Sequence, residues 1–458
     1  MKLLSEYKNI FCIGIGGIGV SSLAKFFKAH GATVSGSDLR KVEDKDMDGM
    51  TIFVGHDASH VTKDFDLIVH SPDIPLSNPE LVRAHELGIT TFDYPTVLGM
   101  VMATGMGIAV SGTNGKTTTT ALLGLILERA KKDPTVIVGG KLREWHGNFR
   151  LGQGAFILAE RCEYKRNFLK IESPHMVVLT NIEEDHLDYY KDIDDIISAF
   201  REYVTKIPAV GTLVYNAADK YTKDVLDAAN CEKISYGYEV EADVRGHSLM
   251  HHGGEQSFVL EWQGTELGRV SLRVPGIFNV ENALAAIAAA LTLGISFSDI
   301  ENVLAHFYGT WRRFETIGEK NGKVFLSDYG HHPTALLGTY KAAQEFFPHK
   351  RILLVFQPHH KDRTRKLFKD FTESFLHVKH LILVEIFQVA GREHDDPISS
   401  QDFLPALKEC GYGGKVLYAE NFESLQKIMH EEVNNADVVI FMGAGDIDSF
   451  ARKFVLHY

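Results

Sequence analysis

Residues 109–120 read AVSGTNGKTTTT and decide how the centre of this chain folds. The preceding apolar residues predict a strand, SGTNG (111–115) predicts a turn, and KTTTTALLGLIL (116–127) predicts an amphipathic helix. Backbone N–H groups at such a helix start can bind phosphates, with Lys116 reaching the β- and γ-phosphates and Thr117 binding Mg²⁺. Val110 stands where the usual phosphate loop has its first glycine, so the stretch is a short variant of that loop.

A second glycine-rich turn lies near the N-terminus. Gly14, Gly16 and Gly19 form a GxGxxG pattern between a predicted strand and a predicted helix. Asp38 ends the next predicted strand, where a Rossmann domain keeps an acid that binds ribose. The pattern predicts a site for a nucleotide diphosphate but does not separate NAD, FAD and a UDP-sugar. The alternative is that these glycines only allow close packing of strand and helix.

The rest of the chain alternates short apolar runs with helical patterns, which is typical of α/β layers with parallel sheets. The strand-like runs are NIFCIGI, LIVHS, GIAVSG, MVVLTNI, RILLVFQ, LILVEIF and DVVIFMGAG. Residues 235–275 instead predict antiparallel hairpins. Interruptions in the pattern predict three domains: a Rossmann-like domain at 1–105, a P-loop-type ATP-binding domain at 106–316 and a second Rossmann-like domain at 317–458.

The composition limits the kinds of partner that this protein is expected to bind. The 458 residues carry 60 acidic and 48 basic side chains, a net charge of −12, which argues against a nucleic-acid partner. Glu6 and Lys8 interrupt any signal peptide, and no apolar run has transmembrane length. The four cysteines are scattered and predict neither a zinc site nor disulfides. We therefore expect a cytoplasmic protein without a membrane partner.

Polar side chains follow two of the central strands. Glu160 and Glu163 come after one strand, and Asn181, Asp185 and His186 come after another. Open α/β sheets place ligands at the carboxyl ends of their strands, and Mg²⁺ prefers oxygen ligands. A threonine, a glutamate and one histidine could therefore complete an ATP–Mg²⁺ site. Taken alone, the histidine is better explained by a structural hydrogen bond, and the metal role depends on its position downstream of the phosphate loop.

The sequence resembles the Mur ligase family from end to end. The matching stretches, in family order, are GIGGIGVSSLA with VSGSD, SGTNGKTTTT, ERCEY, TNIEEDHLDYY, VPGIFNVENALAA, RRFE, DYGHHPT, FQPHHKDRTR and GAGDI. The resemblance implies a ligase that uses ATP to join L-alanine to the carboxylate of UDP-N-acetylmuramate through an acyl phosphate, in peptidoglycan precursor synthesis. The first domain would bind the UDP-sugar, the second ATP, and the third would close over both and bring the amino acid.

The resemblance also implies roles for single residues. The UDP-sugar would contact Gly16, Gly17, Gly19, Asp38 and Ser71. ATP would contact Gly112, Thr113, Asn114, Gly115, Lys116, Thr117, Thr118, Asn279, Asn282, Arg313 and Asp328. Thr117, Glu163 and His186 would hold the metal, and His331, His359 and Arg363 would line the amino-acid site. Lys116, Glu163, His186 and His332 would be catalytic, with His332 a candidate base.

Five positions depart from the family pattern. Phe278 replaces a histidine near adenine, Asn114 replaces a histidine in the phosphate loop, and His360 replaces an arginine of the amino-acid site. Cys162 and Lys165 replace acids beside Glu163. These departures bear on adenine contacts, metal binding and amino-acid selectivity more than on the type of reaction.

The sequence also leaves other functions open. One is a sister ligase that adds a different amino acid or a recycled peptide to the same UDP-sugar, although FQPHHKDRTR favours the enzyme that adds alanine. A non-catalytic nucleotide-sugar sensor would not need Lys116, Thr117, Glu163 and His186 together. An NAD-dependent oxidoreductase would leave the Gly-Lys-Thr loop unexplained. The sequence is compatible with a monomer or a homodimer.

Overall fold

The structure is a computed structural model that describes residues 4–42, 47–252, 255–388 and 397–458. The chain forms two compact units, each described by itself below. The first comprises Met1–Ile182, Ile197–Val244 and Ala285–Val303, and the second comprises Glu183–Ile196, Arg245–Leu284 and Leu304–Tyr458. Among the described residues, no helix combines the length and the apolar character that crossing a membrane requires.

The first unit begins with a five-stranded parallel sheet in the order β3-β2-β1-β4-β5. Its strands are β1 Asn9–Ile13, β2 Thr33–Asp38, β3 Thr51–Val54, β4 Leu67–His70 and β5 Thr90–Asp93. Its helices are α1 Ile18–Ala29, α2 Pro79–Glu86 and α3 Tyr94–Met102. The strand order reverses beside β1, directly before the glycine turn, which confirms the Rossmann-like prediction.

The second sheet of this unit surrounds the Gly-Lys-Thr loop. Its elements are β6 Met106–Ser111, α4 Lys116–Arg129, β7 Thr135–Leu142, β8 Gly147–Arg150, β9 Phe156–Glu160, β10 Met176–Leu179, α5 Ile193–Val204, β11 Thr212–Asn216 and β12 Glu232–Tyr238. The strand order is β12-β11-β10-β6-β9-β7-β8, and the strands pair in parallel except for the antiparallel β7–β8 hairpin. Strands β9 and β10 flank β6, so the segments that follow these strands meet at one edge of the sheet.

Two details of this region correct the sequence prediction. Helix α4 is not amphipathic, because Thr117–Leu123 of its first two turns are all buried. A helix that is covered on nearly every side needs no polar face. The predicted hairpin region also began too early, since β12 pairs in parallel with β11.

The second unit contains antiparallel strands and a six-stranded sheet in the order β16-β17-β21-β18-β19-β20. The strands are β13 Val244–His252, β14 Glu255–Trp262, β15 Thr265–Leu272, β16 Glu315–Lys320, β17 Lys323–Asp328, β18 Ile352–Phe356, β19 His380–Val384, β20 Lys415–Ala419 and β21 Val438–Met442. Helix α6 Ile277–Thr292 begins in this unit, whereas most of α7 Phe297–Ala305 belongs to the first unit. The other helices of the second unit are α8 Pro333–Phe346, α9 Lys361–Lys366, α10 Phe368–Phe375, α11 Phe403–Glu409, α12 Phe422–Glu432 and α13 Ile447–His457. The β14–β15 pair is antiparallel, as predicted. Apolar clusters lie on both faces of the six-stranded sheet, which is why its strands read as continuous apolar runs.

Strands β1 and β2 approach so closely that the register requires a glycine at position 36. Gly36 pairs with Cys12, and a Cβ at Gly36 would lie 2.4 Å from the Cys12 carbonyl oxygen and 2.8 Å from Ile15 Cδ1. A side chain here would push apart the strand pair that carries the glycine turn.

We therefore expect Gly36→Ala to lower the free energy of unfolding by about 2 kcal/mol through overpacking. Urea unfolding followed by circular dichroism measures the change. Gly413→Ala is the control, because a Cβ there meets no atom within 4 Å. Equal stability of the two variants would contradict this account of the strand contact.

Candidate functional site

Side chains at the end of β10 hold the Gly-Lys-Thr loop in place. The Thr113 N–H donates to the Asn181 carbonyl at 3.0 Å, and the Asn114 N–H donates to Asn181 Oδ1 at 2.8 Å. The Thr180 hydroxyl donates to the Asn114 carbonyl at 2.6 Å. Gly112 has a φ of 131°, and a Cβ there would lie 2.1 Å from Thr180 Oγ1. The loop can therefore close onto β10 only with glycine at this position.

Lys116 is the first residue of α4 and folds back over this loop. Its ammonium donates to the carbonyls of Gly112 and Thr113, at 2.5 and 3.0 Å, and to Glu163 Oε2 at 2.9 Å. Burial lowers the pKa of Lys116, but the negative groups around it, Glu163 first among them, together raise the pKa overall. Lys116 is therefore a fixed positive charge at the start of α4, where the first N–H groups of the helix have no partner within the helix and can bind an anion.

A second carboxylate, Glu160, lies beside Thr117. The Thr117 hydroxyl donates to Glu160 Oε2 at 2.9 Å. A Cβ on Gly139 of β7 would lie 1.5 Å from Glu160 Oε1, so the neighbouring strand is glycine at the point where it passes this carboxylate. From the sequence, Glu160 is a carboxylate that follows a predicted strand, and it is not among the predicted metal ligands. The structure makes it a metal-ligand candidate in addition to Glu163.

The two residues that replace acids beside Glu163 do not place a competing cation at the phosphate loop. Glu163 is buried, whereas Cys162 and Lys165 are exposed. The Lys165 ammonium lies over the ring of Tyr164, 5.2 Å from its centroid. Its positive charge is therefore engaged on the ring of the preceding residue.

The N-terminal glycine turn is built on the end of β2. The N–H groups of Gly14 and Ile15 donate to the Ser37 carbonyl, at 2.8 and 3.0 Å. The Gly16 N–H donates to Asp38 Oδ2 at 2.9 Å, and Gly17 precedes α1 as its N-cap residue. These contacts place Asp38 at the turn, as the sequence predicts.

A cavity of about 280 Å³ opens at this turn. Its lining includes Gly16, Asp38 and three cations that the sequence analysis did not assign, Arg40, Lys41 and Lys141. Among the other predicted residues, Ser71 lies beside Gly14, where a Cβ would be 3.4 Å from Ser71 Cβ. The cavity therefore combines the positive end of α1 with basic side chains, which suits an anionic ligand.

Gly19 has a packing explanation of its own. A Cβ at Gly19 would lie 2.8 Å from Tyr94 Cζ, so the ring of Tyr94 at the start of α3 packs directly on α1. Close helix packing accounts for the third glycine of the pattern. A contact between Gly19 and a UDP-sugar stays a prediction.

In the second unit, several of the predicted residues lie around the buried carboxylate of Asp185. Arg363 donates to Asp185 Oδ1 through Nη2 at 2.7 Å and through Nε at 3.1 Å. His331 Nε2 and His186 Nε2 each lie 3.8 Å from Asp185 Oδ2. Burial alone would raise the pKa of Asp185, but His186 and Arg363 outweigh burial and hold it well below its usual value. The role of His186 as a metal ligand stays a prediction.

The histidines of the predicted amino-acid site lie in a cluster of aromatic rings. His359 stacks on Phe387 at 5.4 Å between centroids, and its ring lies 5.9 Å from His331 and 4.3 Å from His360. Burial and, to a smaller extent, the charge of Arg363 lower the pKa of His331 to about 4 and that of His359 to about 2. Both imidazoles are therefore neutral near pH 7.

His332 caps α8. The Thr334 N–H lies 3.4 Å from His332 Nδ1. With Nδ1 accepting, Nε2 carries the proton. The role of His332 as a base stays a prediction.

The RRFE stretch places its two arginines differently. Both guanidinium groups lie over the ring of Tyr329, that of Arg313 at 4.7 Å and that of Arg312 at 4.9 Å from its centroid. Arg312, which the sequence analysis did not select, is buried and donates to the carbonyls of Gly443 and Gly445, the latter at 3.0 Å. Nothing in the sequence distinguishes the two arginines, because their roles depend on a loop more than 130 residues away.

Asp328 ends β17 next to these arginines. Its carboxylate accepts from the N–H groups of Phe314 at 2.8 Å and Gly330 at 2.7 Å. Burial raises the pKa of Asp328. Asp328 therefore joins the RRFE segment to the loop before α8.

Asn279 and Asn282 are buried in the first turns of α6. Asn279 donates to the Pro275 carbonyl at 2.7 Å, and Asn282 donates to Asn279 Oδ1 at 3.3 Å. Phe278, which stands in place of a histidine, packs against the C-terminal apolar cluster, with Ala342 close by. An apolar ring is thus explained by packing at this position, and the adenine contacts of the two asparagines stay predictions.

Three family models match consecutive parts of the chain. They are described as Mur ligase family, catalytic domain (residues 9–105), Mur ligase middle domain (110–290) and Mur ligase, glutamate ligase domain (312–445). Two relatives are called UDP-N-acetylmuramate–L-alanine ligase. The one from Clostridium novyi is 40% identical over 99% of this chain and 98% of its own, and the one from Alkaliphilus metalliredigens is 38% identical over 98% and 97%. The solved UDP-N-acetylmuramate-alanine ligase of Thermotoga maritima is 28% identical, has a TM-score of 0.83 and is matched over 99% of both chains.

The lowered pKa of His331 predicts a stability that depends on pH. An unfolded histidine titrates near pH 6.5, and folded His331 near pH 4. Between these values the unfolded chain binds a proton that the folded chain does not, so stability falls as the pH falls. We expect His331→Gln to lose less unfolding free energy than the wild type between about pH 7 and about pH 5.

Urea unfolding of the full chain at about pH 7 and about pH 5 measures the unfolding free energy of both proteins. His457→Gln is the matched control, because His457 is exposed at the end of α13. An identical pH dependence in His331→Gln and the wild type would show that His331 is not held neutral by the fold.

Proposed function

The chain belongs to the Mur ligase family, and on that premise we propose that this ATP-dependent ligase joins L-alanine to the carboxylate of UDP-N-acetylmuramate. The observation that carries the proposal is the pairing of Lys116 with Glu163 and of Thr117 with Glu160 on a loop shaped for phosphate. A cation and a hydroxyl at the phosphate loop, paired with two carboxylates from the end of β9, serve phosphoryl transfer. A hydride-transfer enzyme would have no use for them.

The loop offers the two kinds of group that a bound ATP requires. The N–H groups at the start of α4 can donate to phosphate oxygens, and Lys116 can exchange its bonds to the loop carbonyls for bonds to the β- and γ-phosphates. The oxygens of Thr117, Glu160 and Glu163 fit Mg²⁺, with His186 a further predicted ligand. Bound there, Mg²⁺ would neutralise the charge that develops on the transferred phosphoryl group.

The proposed reaction proceeds in two steps. The muramate carboxylate attacks the γ-phosphate of ATP, and ADP leaves while an acyl phosphate forms. The amine of L-alanine then attacks the acyl carbon, and inorganic phosphate leaves as the amide bond forms. Lys116 stabilises the charge spread over the phosphoryl oxygens in the first step.

The residues around Asp185 are proposed to serve the amino acid. Arg363 presents a cation to the alanine carboxylate while Asp185 fixes its orientation. The neutral imidazoles of His331 and His359 add no further positive charge, so the alanine amine is not repelled in its protonated form before it loses its proton. His360, in place of the second arginine, removes one carboxylate-binding fork from this site.

The direct test is phosphate release with ATP, Mg²⁺ and UDP-N-acetylmuramate, measured with each of L-alanine, glycine, L-serine and the recycled peptide. We expect release with L-alanine and a matching mass gain on the sugar. Release only with the peptide or another amino acid would identify a sister ligase. Release with none of them would favour the sensor and overturn the proposal.

Lys116→Ala tests the ATP site separately. We expect it to lower ligation at least about 100-fold, because charge on the transferred phosphoryl group loses its counter-ion, while UDP-N-acetylmuramate still binds. Lys132→Ala is the control, since Lys132 is exposed beyond the far end of α4. Turnover near that of the wild type in Lys116→Ala would refute the assignment of the loop.

A further inference from the structure

Asn148 of the β7–β8 hairpin reaches across from the central sheet to the first turn of α1. Its amide Nδ2 donates to the Ile18 carbonyl at 2.5 Å and to Ser21 Oγ at 3.0 Å. Its Oδ1 accepts from the ammonium of Lys25 at 3.0 Å. Asn148 is 1% exposed and Lys25 is 5% exposed, so water competes little for these bonds.

The groups that Asn148 holds belong to the cavity at the glycine turn. Ile18 and Ser21 line that cavity together with Gly16 and Asp38. They form the first turn of α1, whose N–H groups supply the positive end of the helix to a bound anion. The position of this turn is therefore set in part by a side chain from the predicted ATP-binding domain.

The same hairpin also contributes directly to the cavity. Lys141 of β7 lines it together with two cations of the N-terminal domain, Arg40 and Lys41. Two residues earlier on the same strand, Gly139 passes against Glu160, which accepts from Thr117 of the phosphate loop. Strand β7 thus runs from the phosphate loop to the cavity at the glycine turn.

We propose that Asn148 is a positioning residue for the nucleotide-sugar site and that Lys141 supplies a cation to the diphosphate bound there. The inference rests on the proposed function, because it takes a uridine diphosphate sugar as the ligand of this cavity. It adds to that function a wall contributed by the central domain, which none of the residues predicted from the sequence provides.

The test measures binding of UDP-N-acetylmuramate, of UDP and of ATP to the full chain by calorimetry. We expect Asn148→Ala to raise the Kd for both uridine ligands about tenfold, because two buried hydrogen bonds to the first turn of α1 are lost, with the Kd for ATP changed less than about twofold. A purely structural loss would weaken ATP binding as well. Asn230→Ala is the matched control, since Asn230 is exposed in the same unit.

Lys141→Ala gives a second test that does not disturb the buried contact, because Lys141 is exposed. We expect weaker binding of UDP at about 0.05 M salt and a difference from the wild type that shrinks at about 0.5 M salt, where screening is stronger. Lys132→Ala serves as the lysine control. If Asn148→Ala does not fold, Lys141→Ala still tests the part of the proposal that concerns Lys141. Lys25→Met then tests the contact between the hairpin and α1, because it removes the donor to Asn148 Oδ1.

The outcomes separate the two proposals. Wild-type protein that binds neither uridine ligand overturns both the proposed function and this inference. Wild-type protein that binds them, with Asn148→Ala and Lys141→Ala binding equally well, overturns this inference alone. Weakening of the uridine ligands with ATP binding intact supports it.

Discussion

The first unit is organised around the contact between the phosphate loop and the end of β10. Thr180 and Asn181 take up the N–H and carbonyl groups of residues 113–114, and Gly112 leaves no space for a side chain between loop and strand. Because β9 and β10 flank β6 in parallel, this contact also sets where the carboxylates after β9 lie. Lys116 can meet Glu163, and Thr117 can meet Glu160, only while the loop stays closed on β10.

The second unit depends on a different constraint, the cost of burying charge. Asp185 is buried as a carboxylate because Arg363 donates to it twice, and removing either partner would leave an uncompensated charge. The neighbouring histidines resolve the same problem by remaining neutral. The outcome is a site with one ion pair and several uncharged rings, which suits a ligand that carries both an amine and a carboxylate.

The sequence was informative wherever the deciding signal is local. Turn residues and apolar runs predicted the glycine turn, the phosphate loop and the parallel strands, all of which the structure contains. Signals were missing where a role depends on distant chain segments. Arg312 and Arg313 are adjacent and identical in type, yet only Arg312 bonds the loop at residues 443–445. Asn148 and Lys141 sit in a hairpin without a motif, and the covering of α4 by its neighbours cannot be read from its own residues.

The central claim is that the carboxylate of the UDP-sugar is activated as an acyl phosphate at the phosphate loop. It is tested most directly by labelling that carboxylate with ¹⁸O and analysing the products by mass spectrometry after one round of ligation with L-alanine. The account predicts one ¹⁸O atom in the released inorganic phosphate, because a carboxylate oxygen becomes the bridge to phosphorus and leaves with it. Inorganic phosphate without label, or label found in AMP, would contradict the account.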